Sequence, residues 1–344
     1  MSGQARDFAF TLSLPRLIYV LILFFAAAAV ALHLGQVTAI RHTLQRGRWE
    51  WIAVAILLQG LFLLNLSALY HAAYRMVKLP VSFGYTFRLA MSAAFVSAVV
   101  PGGTFSGTGL LVYDALRRGL DTARATLANV IFFIFDYLAF LVVLFLAILY
   151  LFGRGNLQPY ELAATALLAA GTGILIFLLF LLGFKPTLFA ALAGPLARTA
   201  GRLLRKLKPH TPGWEEKTGE IAVRLSAALQ AMVKNHPAML RAATHALLVE
   251  GLGLLQLQTL FLAFGNAPGP GRLITGYAVG VLFMIVSITP QGVGLMEGAM
   301  TAAYASTGVP LEQAVLVTFT YRAISLWLPV IGGFIFFKRT VKQW

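Results

Sequence analysis

Four ionisable residues sit where an apolar chain should not tolerate them, and one of them follows a broken backbone. In Thr289-Pro290-Gln291-Gly292-Val293-Gly294-Leu295-Met296-Glu297-Gly298, a proline and two glycines precede Glu297. Glycines permit tight turns and close backbone approach. A helix starting near Leu295 would aim its amides and positive dipole end at the gap, which attracts an anion such as phosphate. Glu297 then either caps that helix start or binds a cation or proton, and both readings stand. Arg322, in Thr320-Tyr321-Arg322, is too deep in its own apolar stretch to reach water easily. A buried guanidinium needs a partner, and a carboxylate or a lipid phosphate would serve. A Glu297–Arg322 pair is therefore expected, as a structural ion pair or as part of substrate handling. Asp136 and Glu250 also fall mid-stretch and should face the interior of a helix bundle. Asn65 is expected to bond helix to helix, and Gly276 and Gly280 to form a small-residue packing face.

The elements that must position these residues are membrane helices. Of 344 residues, 59% are hydrophobic and 11% charged, whereas soluble domains carry about 25% charged residues. The apolar runs are continuous, unlike the alternating segments of roughly 10 residues in a β-barrel. A span needs about 20 apolar residues, and six stretches qualify: Leu14–Leu34, Trp51–Arg75, Thr122–Phe152, Glu161–Gly183, Pro237–Gly265 and Leu311–Phe337. Two more regions, Phe83–Arg118 and Arg272–Thr307, break at Pro101-Gly102-Gly103 and at Pro290-Gln291-Gly292. Non-helical backbone at membrane depth is tolerated only where protein buries it or it lines a polar cavity. There is no cysteine, and no phosphate-binding loop, HExxH motif or cysteine/histidine metal cluster stands out. No metal, cofactor or ATPase module is expected.

The net charge of +15 points to the positive-inside rule and anionic headgroups rather than to nucleic acid. The basic segment 184–236 and the tail residues Lys338, Arg339 and Lys342 are expected in the cytoplasm, with both termini. Arg198 to Lys208 reads as an interfacial amphipathic helix. Arg117 and Arg118 read as topology anchors at the inner end of the first broken region. Arg41, Arg46 and Arg48 land outside on this scheme and conflict with it. Each broken region would then be a hairpin returning to its own side.

The two hairpins share a register. A displacement of 189 positions carries Pro101 onto Pro290, Gly103 onto Gly292, Gly119 onto Gly308 and Ala125 onto Ala314. Each copy reads helix, broken hairpin, long helix, over about 51–152 and 237–338. With opposite orientations this is an inverted-topology repeat, the plan by which many transporters build a midplane site.

These residues resemble a known family. Ile288-Thr289-Pro290-Gln291-Gly292-Val293-Gly294-Leu295-Met296-Glu297-Gly298, Gly308-Val309-Pro310, Tyr321-Arg322 and Gly332-Gly333 resemble the lysylphosphatidylglycerol synthase transmembrane family, also described as flippase-like or UPF0104. Pro101-Gly102-Gly103-Thr104, Gly107, Leu116-Arg117-Arg118 and Asp136 agree with it. The resemblance runs from about Trp51 to Phe337. It implies a lipid flippase unit that moves lipids between leaflets. The family's best-known members add a soluble aminoacyl-transferase domain. This chain ends at Trp344 just after its last helix, so that domain is expected to be absent and synthase activity is not carried over. Many relatives carry Glu-Arg shortly before the aspartate, where this chain has Phe132-Phe133. Phe133 is also the repeat partner of Arg322, so the first half lacks the charge the second half keeps.

The expectation is an all-α polytopic membrane protein in a single domain, with about six transmembrane helices and two re-entrant or broken helical hairpins in an inverted-topology repeat. It would translocate an anionic lipid or lipid-linked headgroup, such as that of an anionic phospholipid or a polyprenyl-linked lipid, across the inner (cytoplasmic) membrane. Substrate-binding residues would be Glu297, Arg322, Gly292, Gly294, Pro290, Pro101, Gly102, Gly103 and Asp136, with Glu250, Tyr321 and Arg117 as secondary candidates. The competing classes are an integral membrane enzyme that modifies a lipid headgroup and an accessory partner of such an enzyme.

Overall fold

The computed structural model describes residues 48–100, 106–154, 170, 177, 235–265, 267–287 and 289–342. Expectations for Leu14–Leu34, most of Glu161–Gly183, nearly all of the basic segment 184–236 and the break at Pro101–Gly103 lie outside the described residues. The described elements are helical throughout. In chain order they are α1 (Trp49–Met76), α2 (Phe83–Val99), α3 (Ser106–Arg117), α4 (Thr122–Arg154), α5 (His236–Ala263), α6 (Pro270–Val286), a 3-10 turn (Pro290–Gly292), α7 (Leu295–Ser306) and α8 (Leu311–Lys342). Four of them, α1, α4, α5 and α8, are long and apolar enough to cross a membrane. The protein is an integral membrane protein.

Local signals set the helix ends. Ser82 accepts from the Tyr85 amide and starts α2. Asp121 accepts from the amides of Ala123 and Arg124 and starts α4. Asn235 caps α5 in the same way, with Pro237 in its first turn. Such caps satisfy amides that the helix leaves without partners. Gly119 and Gly308 close α3 and α7 with φ of +66° and +87°. In each case the next residue sends its amide back over the glycine, Leu120 to Ala115 and Val309 to Tyr304. This is the glycine-ended helix stop, which needs a left-handed residue.

Each broken region folds back on itself. Tyr85, at the start of α2, donates a 2.7 Å hydrogen bond to Asp114, near the end of α3. Arg118 closes on the same carboxylate at 2.9 Å and lies over the Tyr85 ring. Asp114 is fully buried. In the second region the Tyr304 hydroxyl of α7 reaches the Leu273 carbonyl of α6 at 3.3 Å. Gly276 and Gly280 form the packing face expected of them, with Gly276 beneath the Tyr304 ring and Gly280 against Met300.

Antiparallel α1 and α5 cross the bundle together. Asn65 bonds the His245 carbonyl at 2.8 Å and the His245 ring at 2.7 Å, and Gln256 reaches the Ala55 carbonyl at 3.1 Å. The Arg48 amide meets the Ala263 carbonyl, so α1 begins where α5 ends. The first hairpin follows the end of α1, and the second follows the end of α5. Their open ends therefore lie at opposite ends of α1. Large apolar side chains such as Leu57, Phe145, Phe152, Leu240 and Ile331 stay more than half exposed. On a membrane protein that surface faces acyl chains.

Gly276→Ala would set a Cβ 2.1 Å from Tyr304 Cε1. Overpacking of this kind costs about 1–3 kcal/mol. The expected outcome is a lower melting temperature of the purified protein in detergent, with the double variant Gly276→Ala, Tyr304→Leu less destabilised than the sum of the two single changes.

Candidate functional site

The break in the second hairpin is built by its sequence. Pro290 opens the 3-10 turn, and Gln291 takes a left-handed conformation with φ 49° and ψ 25°. Gly292 follows at φ +70°, its Cα so near Met284 that a Cβ would lie 2.7 Å from the Met284 Cα. Ser287 and Thr289 brace the approach with a 2.7 Å hydroxyl contact, and Thr289 donates to the Val293 carbonyl at 3.1 Å. The carbonyl of the strained Gln291 turns toward α8 and accepts from Arg322 Nη2 at 2.8 Å.

Glu297 and Arg322 meet, as the need of a buried guanidinium for a partner leads one to expect. Arg322 Nε donates to Glu297 Oε1 at 2.7 Å, and both side chains are 3% exposed. The other carboxylate oxygen accepts from the Gly294 amide at 2.7 Å. Glu297 thus caps α7 and at the same time pairs with the Arg322 guanidinium. This changes what the helix start can do. The carboxylate already occupies the Gly294 amide, so that amide is not open to an external anion. Pro290, Gly292 and Gly294 shape the turn that delivers these groups.

The remaining candidates converge on a cavity of about 190 Å³ in the centre of the bundle. Asp136 from α4, Glu250 from α5, Tyr321 and Arg322 from α8 and Gln291 from the break all line it. Glu250 accepts from the Tyr277 hydroxyl at 2.9 Å. Asp136 is only partly covered and has no hydrogen-bond or ion-pair partner among the described residues. Ser97, Gly107 and Thr108 bring both arms of the first hairpin to the same space, and Ser97 accepts from the Gly107 amide at 3.1 Å. At the position that the 189-residue displacement matches to Arg322, the first half carries aromatic residues. Phe132 stacks on Tyr70 at 3.7 Å with the rings 8° from parallel, and Phe133 is buried beside it.

Arg117 is not part of this constellation. It stands exposed at the open end of the first hairpin, as an interfacial anchor would. Two residues were missed in the sequence. Gln59, 2% exposed on α1, lines the cavity. Its signal was a carboxamide in the middle of an apolar span. Asp114 locks the first hairpin, and its signal was the i,i+4 spacing to Arg118.

Removing one partner of a buried ion pair costs about 3–5 kcal/mol, because the other charge is left uncompensated. Arg322→Ala should therefore destabilise the detergent-solubilised protein strongly. Arg322→Met with Glu297→Gln should cost less than the sum of the single changes, as measured by chemical denaturation. Gly292→Ala should lower stability on its own, through both its φ and the contact with Met284.

The family model for the lysylphosphatidylglycerol synthase TM region matches residues 12–333. A UPF0104 membrane protein of Pyrococcus horikoshii is 26% identical over 95 residues, 27% of this chain and 28% of that protein. A UPF0104 membrane protein of Methanothermobacter thermautotrophicus is 31% identical over 84 residues, 24% of each chain. The aligned segments thus span about a quarter of these curated relatives.

Proposed function

Given that the chain belongs to the lysylphosphatidylglycerol synthase TM region family, we propose that it translocates the headgroup of an anionic lipid or lipid-linked molecule across the cytoplasmic membrane. The observation that carries this reading is the cavity of about 190 Å³, lined by Arg322, Asp136 and Glu250 within a bundle whose outer surface is apolar. Ionisable groups at membrane depth mark substrate and ion pathways. A guanidinium offers a lipid phosphate charge-assisted hydrogen bonds. At about 30 Å³ per water, the cavity suits a phosphate and its immediate substituents. Acyl tails remain in the bilayer, and a larger polyprenyl-linked glycan requires the hairpins to part.

The proposal includes an inverted repeat of two copies, 51–152 and 237–338. Its supports are hairpins with open ends at opposite ends of α1, and the matched helix stops at Gly119 and Gly308. It also includes six spans, two of which fall outside the described residues, and cytoplasmic termini, supported by the basic residues Lys338, Arg339 and Lys342. Movement without covalent change is the proposed role, with lipid supplied by the membrane itself.

The test is a reconstitution. Purified protein is placed in liposomes containing a headgroup-labelled anionic phospholipid, and leaflet exchange is followed with an impermeant quencher. Wild type should accelerate exchange over protein-free liposomes, Arg322→Ala should lose most of that acceleration, and Glu297→Gln should fall between. Mass spectra of the recovered lipid should be unchanged. A chemically altered headgroup would point instead to an enzyme, and neither exchange nor alteration would point to an accessory role.

A further inference from the structure

Among the described residues, the central cavity is lined by more acid than its guanidinium can balance. Asp136 and Glu250 line it from α4 and α5. Arg322 lines it too, but its Nε is committed to Glu297 and its Nη2 to the Gln291 carbonyl. Three carboxylates against one guanidinium leave these four groups at −2 when all are ionised. Burying uncompensated charge of that kind is costly, and like charges sharing a site resist ionising together. Among the described residues, the other titratable groups facing the cavity are Tyr70 from α1, Tyr137 from α4, Tyr277 from α6 and Tyr321 from α8; α2, α3 and α7 present Ser97, Thr108 and Met296. None of these adds a cation.

A second observation points to an occupant. Gln59 is 2% exposed and lines the cavity. Ser325 also lines it, with its Oγ buried and unpartnered. Buried polar groups are ordinarily satisfied, so Asp136 and Ser325, both without a hydrogen-bond partner among the described residues, suit a proton relay. The described residues hold no group of three or more acidic, histidine or cysteine side chains able to ligate a metal ion. That favours a proton over a coordinated metal.

We propose that Asp136 and Glu250 together hold one exchangeable proton, and that this proton travels with the lipid headgroup. The inference rests on the translocation reading above. With both acids ionised, the cavity repels a phosphate. A proton taken from the aqueous phase onto one of them reduces the repulsion, and Arg322 can then receive the anion. A singly charged lipid and one proton cross as a neutral pair, and the proton leaves to the opposite aqueous phase. Tyr277, hydrogen-bonded to Glu250, orients that carboxylate.

Two measurements on the full chain separate this claim from the translocation reading. Infrared difference spectra of the purified protein on H/D exchange at neutral pH should contain a protonated-carboxyl band that Asp136→Asn or Glu250→Gln removes. Its absence in wild type overturns the proton site, and its loss on adding sodium at constant pH shows a metal-ion site instead, which also overturns it. In proteoliposomes of labelled anionic phospholipid, one proton per lipid predicts a leaflet ratio that shifts about tenfold per pH unit imposed. Both substitutions should abolish that shift. Leaflet exchange indifferent to the pH gradient overturns the coupling. No exchange at all in wild type overturns translocation, and with it the coupling, while the infrared band still decides the proton site.

Discussion

The buried contact between Arg322 and Glu297 organises everything around it. A guanidinium and a carboxylate, each 3% exposed, are stable in an apolar bundle only if their hydrogen-bonding capacity is met. Each group is met by the broken segment. Arg322 takes the Gln291 carbonyl, which is available because Gln291 sits in a left-handed turn outside any helix ladder. Glu297 takes the Gly294 amide, which is available because α7 starts there. The ion pair thus depends on the break, and the break is held by the ion pair. Backbone groups that would be a liability in lipid become ligands for two charges.

That mutual dependence links α7 to α8 and places the second hairpin against the wall of the cavity. The first hairpin uses a different lock. Tyr85, Asp114 and Arg118 tie its open end, away from the cavity. Both hairpins are tied at their open ends, and the second is pinned at its tip as well. The element carrying the charged site is the one pinned beside it, so Arg322 keeps a fixed position while the described part of the first tip is held by the lighter Ser97–Gly107 contact.

Much of this was legible in the chain. The four described spans fall within a few residues of their expected bounds, because long apolar runs, two of them started by the Asp121 and Asn235 caps, leave little choice of helix limits. The Glu297–Arg322 pair was legible because charge is rare enough in such spans that each one demands a partner. The double duty of Glu297 was not, since capping and pairing use different oxygens of one carboxylate and only the turn geometry shows that both can be met. Gln59 escaped because an uncharged amide does not stand out in α1, and its importance appears only when α4 and α5 bring their acids beside it. Asp114 escaped because it sits near a polar interface where a carboxylate looks unremarkable.

The stack of Phe132 on Tyr70 puts flat aromatic surface in the wall of a cavity that Arg322 and Glu250 also line, so that wall is not uniform in chemistry. A molecule crossing meets unlike surroundings, and its path has an uneven barrier. Unevenness alone cannot accumulate anything, however. Detailed balance makes a fixed landscape raise or lower forward and reverse rates together. Any net vectorial flow through this bundle must draw on a difference between the two aqueous phases, and the unevenness can decide only how fast that difference is spent.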